Sequence, residues 1–591
     1  MSETVSSAGA QQPSRKKHHG FAQLGLLAGR ERQLLLLSCG LCYFAQSFVA
    51  WGWPALDGYP AMERWLDPSF LPADFYTNTT NGSGVDTWQA VLFGSIQRWT
   101  GIHYAVQIAL LTALRHLLWP WVLYRFFNTL LRDETAALTG VVLGVLAEFL
   151  LPKMLCWSWL WGDGSPAMMA VFVMTIAWTE MLRKRAWLGF LLLGVATIMQ
   201  PLVGLHGAIF AAAIFLFGYS RAELIAATRQ PANYAGGLAF LAIFLWQYFA
   251  LSPPAAERLP VEDYVRILVW ERHPGDFLLS RVPASDWLAW AFGVFAVGVM
   301  GARIWRCIQG RALIAAGLAA YASICVAGYL FVELKPERLV IDLIPFRTLA
   351  FGAPLLLAIT GCFGAEMMRS GRWTVAAAMV LAFALAGSYG RRFGFPLAGA
   401  SALLLGSAVL GVLPRPVPEQ SADQRGILLV RRLAILGLLA AAIPVGVARF
   451  GFMRIPDQAN QHPLYAWAAE ATPPNARFLV EQFSSDRHYA DVISPQLMRL
   501  VGRRAVVASR DYPFRDSDAR AWLATWAIAL DHGRANRVER ASADDLRAIC
   551  ARLPYHYVVR RNAFPKGQLR QVAVFGPAAG LGPLRVYEVC H

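Results

Sequence analysis

The chain has 591 residues, 56% of them apolar, 12% aromatic and only 16% charged, with a mean hydropathy of +0.41. This composition excludes an ordinary soluble globular protein and a disordered one. The formal net charge of +16 does not mark a nucleic-acid binder, because the basic residues gather in short connections between apolar runs, where they set membrane orientation.

A helix needs about 20 mostly apolar residues to cross a bilayer, and runs of that order recur from Gln33 to Val447 and then stop. Residues 1–32 are polar and basic (Arg15, Lys16, Lys17, Arg30, Arg32) and read as a cytoplasmic N-terminus; the apolar run behind them is too long for a cleavable signal. Within the transmembrane region 33–449, helices are expected near 33–54, 104–125, 136–152, 166–182, 187–199, 202–219, 234–250, 287–303, 312–332, 345–363, 373–389, 395–413 and 427–449. In "MQPLVGLHG", Pro201 removes a backbone donor, so 187–219 is either two short helices or one bent one. Counting two gives about 13 crossings and puts Arg183–Arg185, Arg221/Arg229, Arg303/Arg306/Arg311, Arg369/Arg372 and Arg431/Arg432 on the side of the basic N-terminus; Arg391 and Arg392 dissent. Three long connections, 55–103, 251–286 and 333–344, then lie outside, as does the tail 450–591.

The tail alternates helix (463–471, 494–501, 517–532, 543–552) with strand (477–481, 504–508, "YHYVV", "RQVAVF", "LRVYEV"), the pattern of a small α/β extracytoplasmic domain. Six of the eight cysteines lie in or beside apolar segments; Cys550 and Cys590, in the tail, either pair in an oxidising compartment or remain two thiols. The cysteines show no metal spacing.

The first connection carries Asp57, Glu63, Asp67, Asp74 and Asp86. A carboxylate beside the membrane can take a proton from an acceptor hydroxyl, or ligate Mg²⁺ or Mn²⁺ bridging a phosphate. The plainer account is a solvated loop in which Asp67 caps the turn at Pro68. Tyr59, Met62, Trp65 and Leu66 give this loop a face suited to lying on a membrane surface. In "WERHPGDFLLSR", Glu271, Arg272 and His273 precede a Pro-Gly turn and Arg281 follows; the clustered cations suit a lipid phosphate or pyrophosphate, or the arginines anchor the chain at the interface by snorkelling. Arg338 and Arg347 in "ELKPERLVIDLIPFRTLAF" do the same, or Arg347 pairs with Asp342. Arg115, His116 and Glu148 interrupt apolar helices, either as a structural pair or as an ion path, and Asp163 closes the aromatic "LCWSWLWGDG", a belt or a sugar-stacking surface.

The stretches "LDPSFLPADFY", "LLLGVATIMQPLVGLHG", "PFRTLAF" and "YAWAAEATPPNARFLVEQ" occur in this order across most of the chain. With them the chain resembles the GT-C superfamily of membrane glycosyltransferases, and more closely a bacterial group related to it. The resemblance implies a bacterial cell membrane, a polyprenyl-phosphate-linked sugar as donor and a glycan, lipid or protein as acceptor. It also implies an acidic residue of the first outer loop at the catalytic centre. Carried over, Asp57 or Asp74, with Asp67 beside them, is the base or metal ligand, and Arg272, His273 and Arg347 hold the donor phosphate. Glu271, Arg338 and Asp163 complete the expected substrate-binding set. The matching stretches contain no Asp-x-Asp or adjacent Asp-Glu pair. Two other classes remain in play: a transporter or flippase working through the break at Pro201 and the Arg115/Glu148 pair, and a non-catalytic assembly protein that binds a partner through its tail.

Overall fold

The computed structural model describes residues 16–48, 53–80, 87–146, 166–251, 258–272, 277–281, 284–389, 405–411, 424–448, 462–480, 493–508, 520–525, 538, 540–576 and 583–590. Most of them are helical. The bundle runs α1 (Lys16–Ser47), α2 (Trp53–Leu66), α3 (Phe75–Thr80), α4 (Thr87–Thr100), α5 (Tyr104–Leu131), α6 (Glu134–Leu146), α7 (Pro166–Leu182), α8 (Ala186–Met199), α9 (Pro201–Gly218), α10 (Arg221–Thr228) and α11 (Pro231–Leu251). It continues with α12 (Val261–Tyr264), a π-helical run Val265–Arg272, α13 (Ala284–Ile304), α14 (Arg311–Gly328), α15 (Arg338–Asp342), α16 (Thr348–Arg369), α17 (Trp373–Tyr389) and α18 (Gln424–Ala448).

Among the described residues a helix lies at each position expected from the apolar runs, the 33–54, 136–152, 395–413 and 427–449 runs being described only in part. Among the described residues four helical stretches, Tyr104–Leu131, Pro201–Gly218, Arg311–Leu334 and Arg338–Arg369, are long and apolar enough to cross a membrane. The chain is a helical membrane protein carrying a small sheet.

The break before Pro201 separates two helices rather than bending one. Gln200 is extended (φ −155°, ψ 107°), and its side-chain oxygen accepts from the Leu202 N–H to cap α9. A Cβ on Gly204 would meet Thr197, 2.8 Å from its Cα, and one on Gly207 would stand 3.0 Å from Leu193. The facing positions run backwards along α8 as they run forwards along α9, so the two form an antiparallel hairpin with its tip at Gln200. Elsewhere small residues let backbones close on one another: a Cβ on Gly361 of α16 would lie 2.6 Å from the Ala136 carbonyl of α6. One apolar core, with Phe126, Trp178, Phe210 and Phe363 inside it, joins these helices.

The tail contributes α19 (Pro463–Ala471), β1 (Arg477–Val480), α20 (Pro495–Leu500), β2 (Ala505–Val506), α21 (Ala543–Arg552), β3 (Tyr557–Arg560), β4 (Arg570–Phe575) and β5 (Leu584–Glu588). The sheet order is β2-β1-β3-β5-β4. β1 runs parallel to β2 and β3, while β5 runs antiparallel to β3 and β4. Side-chain alternation divides its residues between two cores. Leu479, Val507, Val558 and Tyr587 pack with Leu546 and Tyr555 on one face. Phe478, Val480, Val506, Val559 and Val586 face the other way, into a second core shared with the connections of the bundle. Cys550, on α21, and Cys590, after β5, form a disulfide with Cα atoms 6.4 Å apart. Described cysteines of the bundle, such as Cys39 and Cys362, are free thiols.

Candidate functional site

The second core is the feature that assembles the site. It contains Tyr59, Met62, Tyr76, Phe93 and Tyr104 from the first connection and its exit, Tyr264, Ile267, Val269 and Phe277 from the second, and Val332 and Ile341 from the entry to the third and the third itself. Leu464, Phe478, Trp522 and Val586 of the tail complete it. Segments far apart in sequence thus become one body over one end of the bundle. Tyr59 and Met62, expected to lie on a membrane surface, are each 1% exposed. Their face is taken by the tail instead: α2 packs against α20. Trp65 remains open, with the Arg98 guanidinium 5.9 Å from its ring centre.

The acids of the first connection separate into different roles. Asp67 accepts from the Ser69 N–H (2.9 Å) and the Ser69 hydroxyl (2.6 Å) across Pro68. These bonds, led by the hydroxyl, hold its carboxyl below the usual range, and it serves the exposed turn as a cap. Asp74 is buried. Its Oδ2 accepts from the Thr77 N–H at 2.7 Å, starting α3, and its Oδ1 accepts from the Val506 N–H of the edge strand β2 at 3.0 Å. Arg499 Nη1 stands 4.0 Å from Oδ2, with both side chains shut away from solvent, and the Tyr76 hydroxyl donates to the Val507 carbonyl at 3.4 Å. A general base must reach the proton it takes, whereas this carboxylate is enclosed in the joint between loop and tail. Asp57 lies on the backbone of α2, its side chain outside the described residues. Glu63, further along α2, accepts from the Tyr104 hydroxyl at 2.9 Å.

The second and third connections come together, with α15 packed against Val265–Arg272. Arg338 lies over the Tyr264 ring at 4.3 Å and 3.9 Å from Asp342, whose Oδ1 accepts from the Tyr264 hydroxyl at 2.5 Å. Asp342 is thereby engaged by Arg338 and Tyr264. Glu271 and Arg272 fall on the π-helical run with side chains outside the described residues, as His273, Asp163, Asp86 and Glu148 are altogether. Glu333 accepts from the Leu279 and Ser280 N–H groups at 3.2 and 3.1 Å, fastening the third connection to the second.

Arg347 enters α16 through a strained turn. Ile344 has φ +42°, a left-handed backbone costing a branched residue about 1–2 kcal/mol, and Pro345 restricts it further. The Thr348 hydroxyl braces the turn, donating to the Pro345 carbonyl at 2.5 Å. Half-buried Arg347 leads into α16, on which Phe351 lies beside His206 of α9, one turn and a half into that helix, with ring centroids 5.1 Å apart and the planes tilted by 60°. At the hairpin tip the Trp88 indole N–H donates to the Met199 carbonyl at 3.2 Å. The first connection, the hairpin tip and Arg347 therefore sit at the same end of the bundle. Sequence reasoning missed His206, Trp88 and the adjacent exposed acids Glu262 and Asp263 on this end; the acid pair was visible as adjacency alone, the others only through tertiary packing. Arg115 and His116 are buried on α5, His116 donating from Nδ1 to the Thr112 carbonyl at 2.7 Å and stacking on Tyr43. Among the described residues no three His, Cys, Asp or Glu side chains form a metal-holding group.

No protein-family model matches the chain, and no curated protein matches it. Among solved structures, the chain is similar to the apo oligosaccharyltransferase of Archaeoglobus fulgidus, at 11% identity and TM-score 0.44, over 90% of this chain and 69% of that one. It is similar too to the archaeal oligosaccharyltransferase AglB from Archaeoglobus fulgidus in complex with an inhibitory peptide and a dolichol-phosphate, at 10% identity and TM-score 0.41, with the same coverage. Both likenesses are distant, and neither gives a role to a residue of this chain.

Proposed function

We propose that the chain is a membrane glycosyltransferase that transfers sugar from a polyprenyl-phosphate donor to a glycan, lipid or protein acceptor on the extracytoplasmic face of a bacterial cell membrane. One observation carries the reading: three connections and the tail share a single core over the end of the bundle that holds the α8–α9 hairpin tip and the turn carrying Arg347. That arrangement suits a water-facing acceptor above and a lipid-anchored phosphate at the membrane surface. The quoted stretches that resemble GT-C enzymes fall on these same elements.

In this reading the Asp57 carboxylate takes the proton of the acceptor hydroxyl as its oxygen bonds to the anomeric carbon. The bond from that carbon to the phosphate oxygen breaks, and the lipid phosphate leaves with the electron pair. Arg347, with Arg272, His273 and Arg338, offsets the charge that develops on it. Glu271 and Asp163 complete the donor-binding set of this reading. Asp74 and Asp67 act through the shape of the first connection. Mg²⁺ or Mn²⁺, where used, would screen the leaving phosphate beside Asp57.

The test uses purified full chain, a radiolabelled polyprenyl-phosphate hexose and mixed acceptors. Asp57→Asn should fold as the parent and lose 10²- to 10⁴-fold in transfer, the usual contribution of a general base. Arg347→Ala should raise the donor concentration needed for half-maximal rate. Transfer at the parental rate by both variants sinks the reading.

A further inference from the structure

At the other end of the bundle, "RKR" closes α7 in a turn that splits its three cations. Lys184 is left-handed (φ 66°), its N–H donates to the Met181 carbonyl at 2.9 Å and the Arg185 N–H donates to the Glu180 carbonyl at 2.9 Å. This paired closure ends a helix on a left-handed residue. It sends Lys184 to Glu223, 3.0 Å away, and turns Arg183 and Arg185 back onto Glu180. Arg125 arrives from α5. Glu180 Oε1 lies 3.3 Å from Arg125 and 3.2 Å from Arg183, and Oε2 lies 3.3 Å from Arg185.

The carboxylate is 7% exposed, whereas the three arginine side chains are 58%, 39% and 56% exposed. One carboxylate against three guanidiniums leaves two positive charges in excess. Neighbouring acids are less crowded: Glu31 holds Arg432, Asp133 holds Arg369, and Glu134 holds Arg32 and Arg431. A guanidinium has five N–H donors, so each arginine on Glu180 keeps donors turned to the surroundings, preset by a buried anchor.

An apolar track leads into this cluster. Leu111, Leu114 and Leu118 of α5 are 36%, 52% and 41% exposed. Leu111, Leu118 and Arg125 follow at heptad spacing, which drifts only about 20° per step around a helix. From Leu111 to Arg125 the helix rises about 21 Å, more than the roughly 15 Å of one leaflet's hydrocarbon.

We propose that Arg125, Arg183 and Arg185, organised by Glu180, seat the phosphate of an anionic glycerophospholipid whose acyl chain lies along the leucine track of α5. A free phosphate ion would use the guanidiniums but not the track. A choline lipid would bring its own cation against the excess charge.

The inference is independent of the glycosyl-transfer reading and is tested without it. The full chain is exchanged into detergent with equal phosphatidylglycerol and phosphatidylcholine, and retained lipid is counted by native mass spectrometry. Phosphatidylglycerol should be retained about thirtyfold over phosphatidylcholine, as two excess cations at about 1 kcal/mol each warrant. Arg125→Gln/Arg185→Gln, which leaves Arg183 to pair with Glu180, should remove the preference. Arg303→Gln/Arg306→Gln, exposed cations elsewhere in the chain, should keep it. No preference in the parent, or an equal loss in the Arg303/Arg306 variant, overturns the proposal. Inorganic phosphate that displaces the retained lipid as well as phosphatidylglycerol does would assign the seat to a free anion and overturn it too.

Discussion

Asp74 accepts two backbone N–H bonds, one from its own loop and one from a strand 432 positions away. Asn at this site offers one acceptor oxygen and leaves Arg499 buried beside a neutral group. Losing one member of a buried charge pair costs about 3–5 kcal/mol, so Asp74→Asn should markedly lower the thermal midpoint of the full chain in detergent. A parental midpoint would remove Asp74 from the joint and return it to the candidates for the base. This pairing was illegible in the sequence, where "PADFY" displays an acid between a proline and an aromatic but not its partners. Asp67 was legible, because a cap across Pro68 to Ser69 is local chemistry, and it was one of two accounts the residues allowed. The tail's hold on Tyr59 and Met62 was hidden for the same reason as Asp74's: an apolar helix face looks alike whether a bilayer or a distant domain covers it.

At the level of elements, the α8–α9 hairpin rests on close approach. Gly204→Ala places a methyl against Thr197, and overpacking of this kind costs about 1–3 kcal/mol; a fall in thermal midpoint without a change in helical circular dichroism is expected. The Cys550–Cys590 bridge closes α21 onto the end of the sheet. Alkylation without reductant should leave both thiols unlabelled, and Cys550→Ser should destabilise the tail by about 2–4 kcal/mol; two labelled tail cysteines would rule the bridge out. Helix positions and the five strands were readable because apolar runs and alternation are local signals. Strand order was not: β1 lies between β2 and β3, and nothing in "RFLV" distinguishes a central strand from an edge.

For the whole molecule, the positive-inside pattern and the two-helix reading of 187–219 lead us to propose a C-terminus on the outside. A reporter fused after His591 should be active on the extracytoplasmic side, and an inward signal would undo the assignment of all three connections. The shared core adds a constraint in time. Tyr76 and its partner Val507 are 431 residues apart, and at about 5–20 residues per second of synthesis the first connection stands ready for roughly 20–90 s before its partner strand exists. Throughout that interval the inner faces of α2 and α3 have no tail to cover them. Late arrival makes the tail the closing step of assembly, so chains truncated before β2 should reach the membrane and then be cleared by quality-control proteases, with half-lives far shorter than that of the full chain.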